Sequence, residues 1–165
     1  MTLSPFELPA IRLIETKLIS QAAPSGLVLS GPAASAAYLH ELIGLSDREE
    51  FVALLLNARH RVTHAHIVSR GALNGTSVHP REVFKAAVLA NAHALVVGHN
   101  HPSGDCQEST EDKAITQRLR EAGKLLGIEI LDSIIVTPHG AYYSLCDGHV
   151  GQLAIAEAKE VADGP

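Results

Sequence analysis

Short apolar runs bounded by turn residues recur along this chain and predict a sheet. Runs rich in Val, Ile and Leu, with glycine, proline or polar residues at their ends, are typical of strands in a domain core. The predicted strands cover residues 51–56, 62–69, 94–98, 128–136 and 141–145. The tripeptide Pro138-His139-Gly140 separates the last two, which are therefore predicted to pair as a hairpin.

Apolar residues spaced by three or four positions predict helices at the N-terminus and ahead of the first strand. The N-terminal helix has one apolar face, formed by Leu8, Ile11, Ile14 and Leu18. Residues 26–32 begin with Gly26 and end with Gly31 and Pro32, which are residue types that interrupt helices. A second helix is predicted after them, at residues 34–43.

Two further helices are predicted between the strands. One covers residues 80–90, because Pro80 and Glu82 are the residue types that favour a first helical turn. The other begins after Ser109, whose hydroxyl suits the N-cap position. Its apolar face is formed by Ile115, Leu119, Ala122 and Leu126.

This order of elements predicts one small α/β (α+β) domain. A length of 165 residues suits a single domain, and no repeat or linker divides the chain. We assign residues 1–30 to an N-terminal helical extension, residues 31–150 to the domain and residues 151–165 to a C-terminal tail. The Ala- and Glu-rich part of that tail, residues 152–161, is predicted to be helical.

Composition narrows the setting in which the protein works. The chain has two cysteines, Cys106 and Cys146, and neither a signal peptide nor a long apolar stretch, which indicates a reducing cytoplasm and no membrane association. The formal net charge is -5 with His neutral, and basic residues form no large cluster. Nucleic-acid binding by this chain alone is therefore disfavoured.

Candidate chemistry is concentrated at residues 98–112. His99 and His101 follow the predicted strand at residues 94–98, and two residues separated by one position project to the same side of an extended chain. Their imidazoles are therefore able to bind one metal ion. Asp112 lies in the first turn of the next helix, and the intervening loop is long enough to return its carboxylate to the histidines. Two imidazoles, one carboxylate and an open position form the ligand set of a catalytic zinc site.

Each of these residues also has an ordinary structural interpretation. Asp112 is three residues after Ser109, so the two fit a capping box that needs no metal. A second His-x-His pair, His64 and His66, lies in a predicted strand but is followed by no comparable loop or acidic helix start. We interpret that second pair as the polar face of a strand.

The string HNHPSGD at residues 99–105, followed by S-x-x-D at residues 109–112, resembles the JAMM motif of the JAB/MPN metalloprotease superfamily, and specifically its RadC-like branch. Residues 49–57, 78–84 and 125–132 are also similar to RadC-like sequences, so the resemblance covers roughly residues 35–148. It implies the MPN/JAB-like (cytidine deaminase-like) fold, a mixed, curved sheet flanked by helices.

The resemblance also implies roles for individual residues. In JAMM enzymes two histidines and an aspartate bind Zn²⁺, which here are His99, His101 and Asp112. A glutamate on an upstream strand serves as the general base, and a serine near the aspartate, here Ser109, helps to stabilise the oxyanion. RadC-like sequences with Glu-x-Phe select Glu49, which we take as the base, whereas the pattern of other JAMM members selects Glu50 as the alternative.

Some positions depart from the family pattern. RadC-like loops commonly have proline before the serine, where this chain has Glu108, and a common Leu-Asp-His triplet ends here in Ser133. Cys106 lies inside the loop as an alternative zinc ligand, which we disfavour because a thiolate would close the open position. RadC-like proteins often carry a helix-hairpin-helix region ahead of the domain, and the residues before Glu49 show no such pattern, so we expect a stand-alone JAMM domain.

The sequence is compatible with two functions. The first is a zinc hydrolase that cleaves a peptide, isopeptide or related amide bond in an unidentified peptide or protein substrate. The alternative is an accessory module in DNA repair or mobile-element function, with structural zinc or none. The apolar faces predicted at residues 8–18 and 153–161 also offer contacts for a homo-oligomer.

Overall fold

A computed structural model describes residues 28–71 and 78–155 of the chain. The described residues form a mixed sheet of six strands with helices on both faces. The strands are β1 (Glu50–Leu56), β2 (Val62–Arg70), β3 (Ala94–Asn100), β4 (Glu129–Val136), β5 (Ala141–Ser144) and β6 (His149–Gln152). The helices are α1 (Pro32–Leu39), which continues into a π-helical turn (His40–Gly44), α2 (Pro80–Leu89) and α3 (Thr110–Leu126).

The strand order is β2-β1-β3-β4-β5-β6, and one pair in it is parallel. Strands β3 and β4 run in the same direction, whereas the other neighbours are antiparallel. A parallel pair needs a crossover connection, and α3 provides it. The chain leaves the carboxyl end of β3, crosses a loop and enters α3, so the first turn of α3 is connected directly to that end of the sheet.

Strand β1 is covered on both sides, and its alternating side chains divide between two cores. Val52, Leu54 and Leu56 pack with α1. Phe51, Ala53 and Leu55 belong to the other core, with residues of α2 and α3. Two buried faces explain why this strand is a continuous apolar run rather than an alternating one. Strand β3 is buried throughout as well, so its polar residues lie inside the protein.

The sequence-based predictions locate most of this fold. Each of the five predicted strands is present, and the helices predicted at residues 34–43, 80–90 and after Ser109 are present with shifted ends. Strand β3 reaches Asn100 rather than ending at residue 98, and the first of these helices is α-helical only to Leu39. The predicted N-terminal helix at residues 8–18 lies outside the described residues.

The predictions were wrong at the C-terminal end of the sheet. No strand was predicted at residues 149–152, which form β6 and extend the sheet to Gln152. The predicted helix at residues 152–161 does not begin there, because Gln152 is in a strand and residues 153–155 have no regular structure. The remainder of that helix lies outside the described residues. A four-residue strand that contains Gly151 has too weak an apolar pattern to be recognised.

Gly98, the residue before His99, allows β3 to lie close to both β4 and α1. A Cβ atom at this position would lie 2.5 Å from Cδ1 of Leu39 and 2.6 Å from the backbone oxygen of Ile134. The leucine side chain is able to move, but the backbone of β4 is fixed by its ladder. We therefore expect Gly98→Ala to lower the free energy of unfolding by about 1–3 kcal/mol, measured by urea denaturation. An unchanged free energy would mean that β3 and β4 separate at no cost.

Candidate metal centre

Strand β3 presents two histidines on the face that packs against α3. His99 is buried and lies opposite Phe51 in the β1–β3 register, with the two rings stacked at a centroid distance of 6.0 Å. His101 follows the strand, and its backbone N–H donates to the carbonyl oxygen of Val136 at 2.9 Å. That bond keeps the chain extended beyond the end of β3. The alternation of an extended chain therefore places both imidazoles on one face, as predicted.

Asp112 reaches the same face from the first turn of α3. Ser109 is the N-cap residue, and its hydroxyl oxygen accepts a hydrogen bond from the Asp112 backbone N–H at 3.1 Å. Oδ2 of Asp112 in turn accepts from the Ser109 backbone N–H at 2.8 Å and from the Ser109 hydroxyl at 2.7 Å. The capping box is thus formed, and it uses only one of the two carboxylate oxygens. The other, Oδ1, lies 3.1 Å from Nε2 of His99.

Three potential ligand atoms converge at this point. One atom each from His99, His101 and Asp112 lies within 4.8 Å of the other two, and the two Nε2 atoms are 3.0 Å apart. No second group of three or more His, Cys, Asp or Glu side chains with this geometry occurs in residues 28–71 and 78–155. The disfavoured ligand Cys106 is not part of the group. The three side chains are able to hold a metal ion, as their order in the sequence predicted.

The Asp112 carboxylate has a lowered pKa, which favours the ionised form that a metal ligand needs. Burial by itself would raise the pKa of Asp112, but its hydrogen bond and charge interaction with His99, together with the Ser109 backbone and hydroxyl, hold that pKa well below its usual range. Asp112 is therefore ionised at neutral pH. A metal site needs its carboxylate ligand deprotonated, and no rearrangement of the capping box is required to achieve this.

The two imidazoles are oriented in different ways. Nδ1 of His101 lies 2.7 Å from the backbone carbonyl oxygen of Asp105. Because a carbonyl only accepts, Nδ1 is the donor, and Nε2 faces the other two ligands, as is usual for a metal-binding histidine. Nδ1 of His99 is buried and has no hydrogen-bond partner in the described part of the chain. The ring of His99 is held instead by packing against Phe51.

The register of β1 against β3 distinguishes the two candidate glutamates. The carboxylate of Glu50 accepts a hydrogen bond from the Ser46 hydroxyl at 3.1 Å and lies 3.4 Å from Nε of Arg70. Strands β1 and β3 pair as far as Phe51 and His99. If this antiparallel register is continued, Glu50 falls opposite Asn100, and Glu49 falls opposite His101. Alternation then assigns Glu49, rather than Glu50, to the histidine face.

The other residues noted in the sequence have structural contacts. His64 and His66 lie in β2 opposite Leu55 and Ala53 and join no metal-binding group in the described residues. The hydroxyl of Ser133, at the position where the family commonly has histidine, accepts a hydrogen bond from the Thr116 hydroxyl at 2.9 Å. That bond joins β4 to α3 one helical turn beyond Asp112.

Asn100 was missed in the sequence analysis. It lies between the two histidines, is fully buried and points to the opposite face of β3. There its side chain is hydrogen-bonded to the backbone of Glu50, the first residue of β1, and of Arg48 in the preceding segment. A signal for it existed in the sequence: an amide in a strand with two covered faces must find hydrogen-bond partners.

A family model and several known proteins are similar in sequence to this chain. The family model of the RadC-like JAB domain matches residues 29–150. A UPF0758 protein of Rubrobacter xylanophilus is 47% identical over 113 residues, which are 68% of this chain and 50% of that protein. A UPF0758 protein of Syntrophotalea carbinolica is 46% identical over 118 residues, 72% of this chain and 52% of the relative.

A third relative has the same coverage pattern. The UPF0758 protein STH371 of Symbiobacterium thermophilum is 44% identical over 124 residues, 74% of this chain and 53% of its own length. The chain thus spans about half the length of the curated relatives it matches.

Within the described ranges, the helices are too short or too polar to cross a membrane.

Proposed function

The chain belongs to the RadC-like JAB domain family, and on this basis we propose that it is a zinc-dependent hydrolase that cleaves a peptide, isopeptide or related amide bond. The observation that carries the proposal is the convergence of His99, His101 and Asp112 within 4.8 Å. Three protein ligands are the number found in catalytic zinc sites, because a fourth position is left for water or substrate.

The donor set favours zinc over Mg²⁺ and Ca²⁺. Imidazole nitrogen suits Zn²⁺, whereas Mg²⁺ and Ca²⁺ prefer sites built wholly from oxygen ligands. Two of the three donors here are the Nε2 atoms of His99 and His101, and the third is Oδ1 of Asp112. Zinc bound by these residues would supply Lewis acidity that polarises a substrate carbonyl and lowers the pKa of water.

Glu49 is the residue that we propose as general base. It would accept a proton from the attacking water and return that proton to the leaving amine. The continued β1–β3 register supports this assignment, because it brings Glu49 to the level of His101. In the same register Glu50 falls opposite Asn100, and its carboxylate contacts Ser46 and Arg70.

Ser109 has two roles in this proposal. Its hydroxyl donates to Oδ2 of Asp112 and so fixes the orientation of the carboxylate that offers Oδ1 to the metal. During hydrolysis the same hydroxyl would turn to donate to the developing oxyanion. The capping box survives that rotation in part, because the Ser109 backbone N–H also donates to Oδ2.

The first experiment is the zinc content of untagged protein, measured by elemental mass spectrometry. We expect about one zinc per chain, and the metal-loaded protein should then hydrolyse members of a panel of peptide and isopeptide substrates in a manner that chelation abolishes. Protein that binds no zinc, even when zinc is supplied, would contradict the proposal. The alternative, an accessory module in DNA repair or mobile-element function, would then be the better account of the chain.

A further inference from the structure

Asn100 occupies the position between the two histidines and faces away from them. In β3, His99 shares the α3 face with Val97, and Asn100 shares the α1 face with Gly98, whose missing Cβ would meet Leu39 of α1. The Asn100 side chain is 0% exposed. A buried amide costs free energy unless its donors and acceptor are all used, so its partners indicate what it does.

Those partners all lie at residues 46–50, which are the segment before β1 and the first residue of β1. Oδ1 of Asn100 accepts from the Glu50 backbone N–H at 2.7 Å. Nδ2 donates to the backbone oxygen of Arg48 at 3.0 Å and to that of Ser46 at 3.4 Å. The carboxamide therefore uses one acceptor and both donors on three backbone groups, and only one orientation of its planar group satisfies them all.

The hydrogen bonds of Asn100 lie just beyond the last backbone pair between β1 and β3. The backbone ladder between β1 and β3 ends at the pair of Phe51 and His99. One residue beyond that pair, the side chain of Asn100 takes the place of the ladder and holds the incoming chain. Glu49 lies within the segment that is held, between Arg48, whose carbonyl accepts from Asn100, and Glu50, whose N–H donates to it.

We propose that Asn100 is a positioning residue, which fixes residues 46–50 against the metal-binding end of β3 and thereby sets the location of Glu49 relative to His99 and His101. The catalytic part of this inference rests on the proposed function. One strand residue thus links the two halves of the centre: its neighbours in the chain bind the metal, and its side chain holds the segment that carries the base.

An asparagine meets this requirement where similar residues do not. Aspartate would keep the acceptor for the Glu50 N–H but would place a carboxylate against the carbonyl oxygens of Ser46 and Arg48, with no donor for either. Alanine would leave all three backbone groups without this partner. Asn100→Asp and Asn100→Ala therefore remove different parts of one contact, and both leave His99, His101 and Asp112 in place.

Asn57 provides a matched control. It follows the opposite end of β1, and its Oδ1 accepts from the backbone N–H groups of Arg59 and Arg61 at 2.9 and 3.1 Å. Asn57→Ala thus removes an asparagine that holds the turn between β1 and β2, without touching the end of β1 near the histidines. A loss that is general to β1 would follow from either substitution.

The first test uses amide hydrogen exchange and needs no substrate. In the wild-type protein the side-chain amide protons of Asn100 should exchange at least about 10-fold more slowly than those of Asn57, and the Glu50 backbone amide should be protected. In Asn100→Ala the exchange of the Glu50 amide should rise by at least about 10-fold, with zinc content unchanged, whereas Asn57→Ala should leave it as in the wild type. Fast exchange of the Asn100 side chain in the wild-type protein, or an unchanged Glu50 amide in Asn100→Ala, would overturn the proposal.

The second test is a double-mutant cycle with Glu49→Gln on any substrate that the zinc-loaded protein hydrolyses. If Asn100 acts through Glu49, Asn100→Ala should lower kcat by about 10- to 100-fold with little change in KM, and should cause almost no further loss in the Glu49→Gln background. Equal losses in both backgrounds would mean that Asn100 supports only the fold. If wild-type protein hydrolyses nothing, the proposed function fails, and the exchange measurement still decides whether Asn100 holds the segment.

Discussion

Asp112→Asn is expected to abolish tight zinc binding while α3 stays capped. Asparagine keeps an oxygen that is able to accept from the backbone N–H and hydroxyl of Ser109, which are the two donors to Oδ2 in the wild-type protein. It places a neutral NH₂ group where Oδ1 faces His99. An amide nitrogen has no lone pair to offer a cation, so one of three ligands is lost together with its negative charge. Zinc affinity should fall by at least about 100-fold, more than for loss of a residue that only orients a ligand.

The matched control is Glu111→Gln, which removes a carboxylate from the same helical turn. Glu111 is exposed, and its carboxylate is not part of the metal-binding group. This variant should therefore bind zinc as the wild type does. Asp112→Ala should lose both the metal and about 1 kcal/mol of stability, because no carboxylate then accepts from the Ser109 backbone N–H in the capping box. Competition with a chelator of known affinity measures the first effect, and urea denaturation of the apoprotein measures the second. Wild-type zinc affinity in Asp112→Asn would mean that Asp112 serves only as a capping residue.

The candidate metal-binding group of His99, His101 and Asp112 could be predicted from sequence because each part of it is set by local structure. His99 and His101 share a face as soon as the chain is extended, and Asp112 is placed by the N-cap at Ser109. The capping and metal-binding interpretations of Asp112 were treated as alternatives, and the structure shows why they are compatible. A carboxylate has two oxygens, and the capping box occupies Oδ2 while Oδ1 faces His99.

The parts that the sequence did not reveal depend on contacts between distant segments. The sequence favoured Glu49 over Glu50 only by resemblance; the structural argument for Glu49 uses the register of β1 against β3, which joins segments about fifty residues apart and has no local signature. The role of Asn100 is equally hard to predict from sequence, because its partners Ser46 and Arg48 lie in a distant segment without regular structure. The short edge strand β6 was missed for another reason: its side chains are largely exposed, so burial leaves little trace in its sequence.

The two glutamates are expected to respond differently to the same substitution. Glu49→Gln keeps the size of the side chain and removes its basicity, so hydrolysis should slow by about 100- to 10,000-fold, the usual contribution of a general base. Zinc content should not change, because Glu49 is not one of the three ligands. Glu50→Gln keeps an acceptor for the Ser46 hydroxyl and loses only the charge facing Arg70, whose side chain is largely exposed. We expect a cost in stability of at most about 1 kcal/mol and turnover within a few-fold of wild type.

Single-turnover rates of the zinc-loaded variants separate these cases, because they report the chemical step without product release. A large loss in Glu50→Gln with little loss in Glu49→Gln would exchange the two assignments and mean that the β1–β3 register does not continue beyond Phe51. Equal rates in the wild type and both variants would exclude either glutamate as the base. Since the three metal ligands are unchanged in these variants, that last result would contradict the mechanism and leave the metal site itself intact.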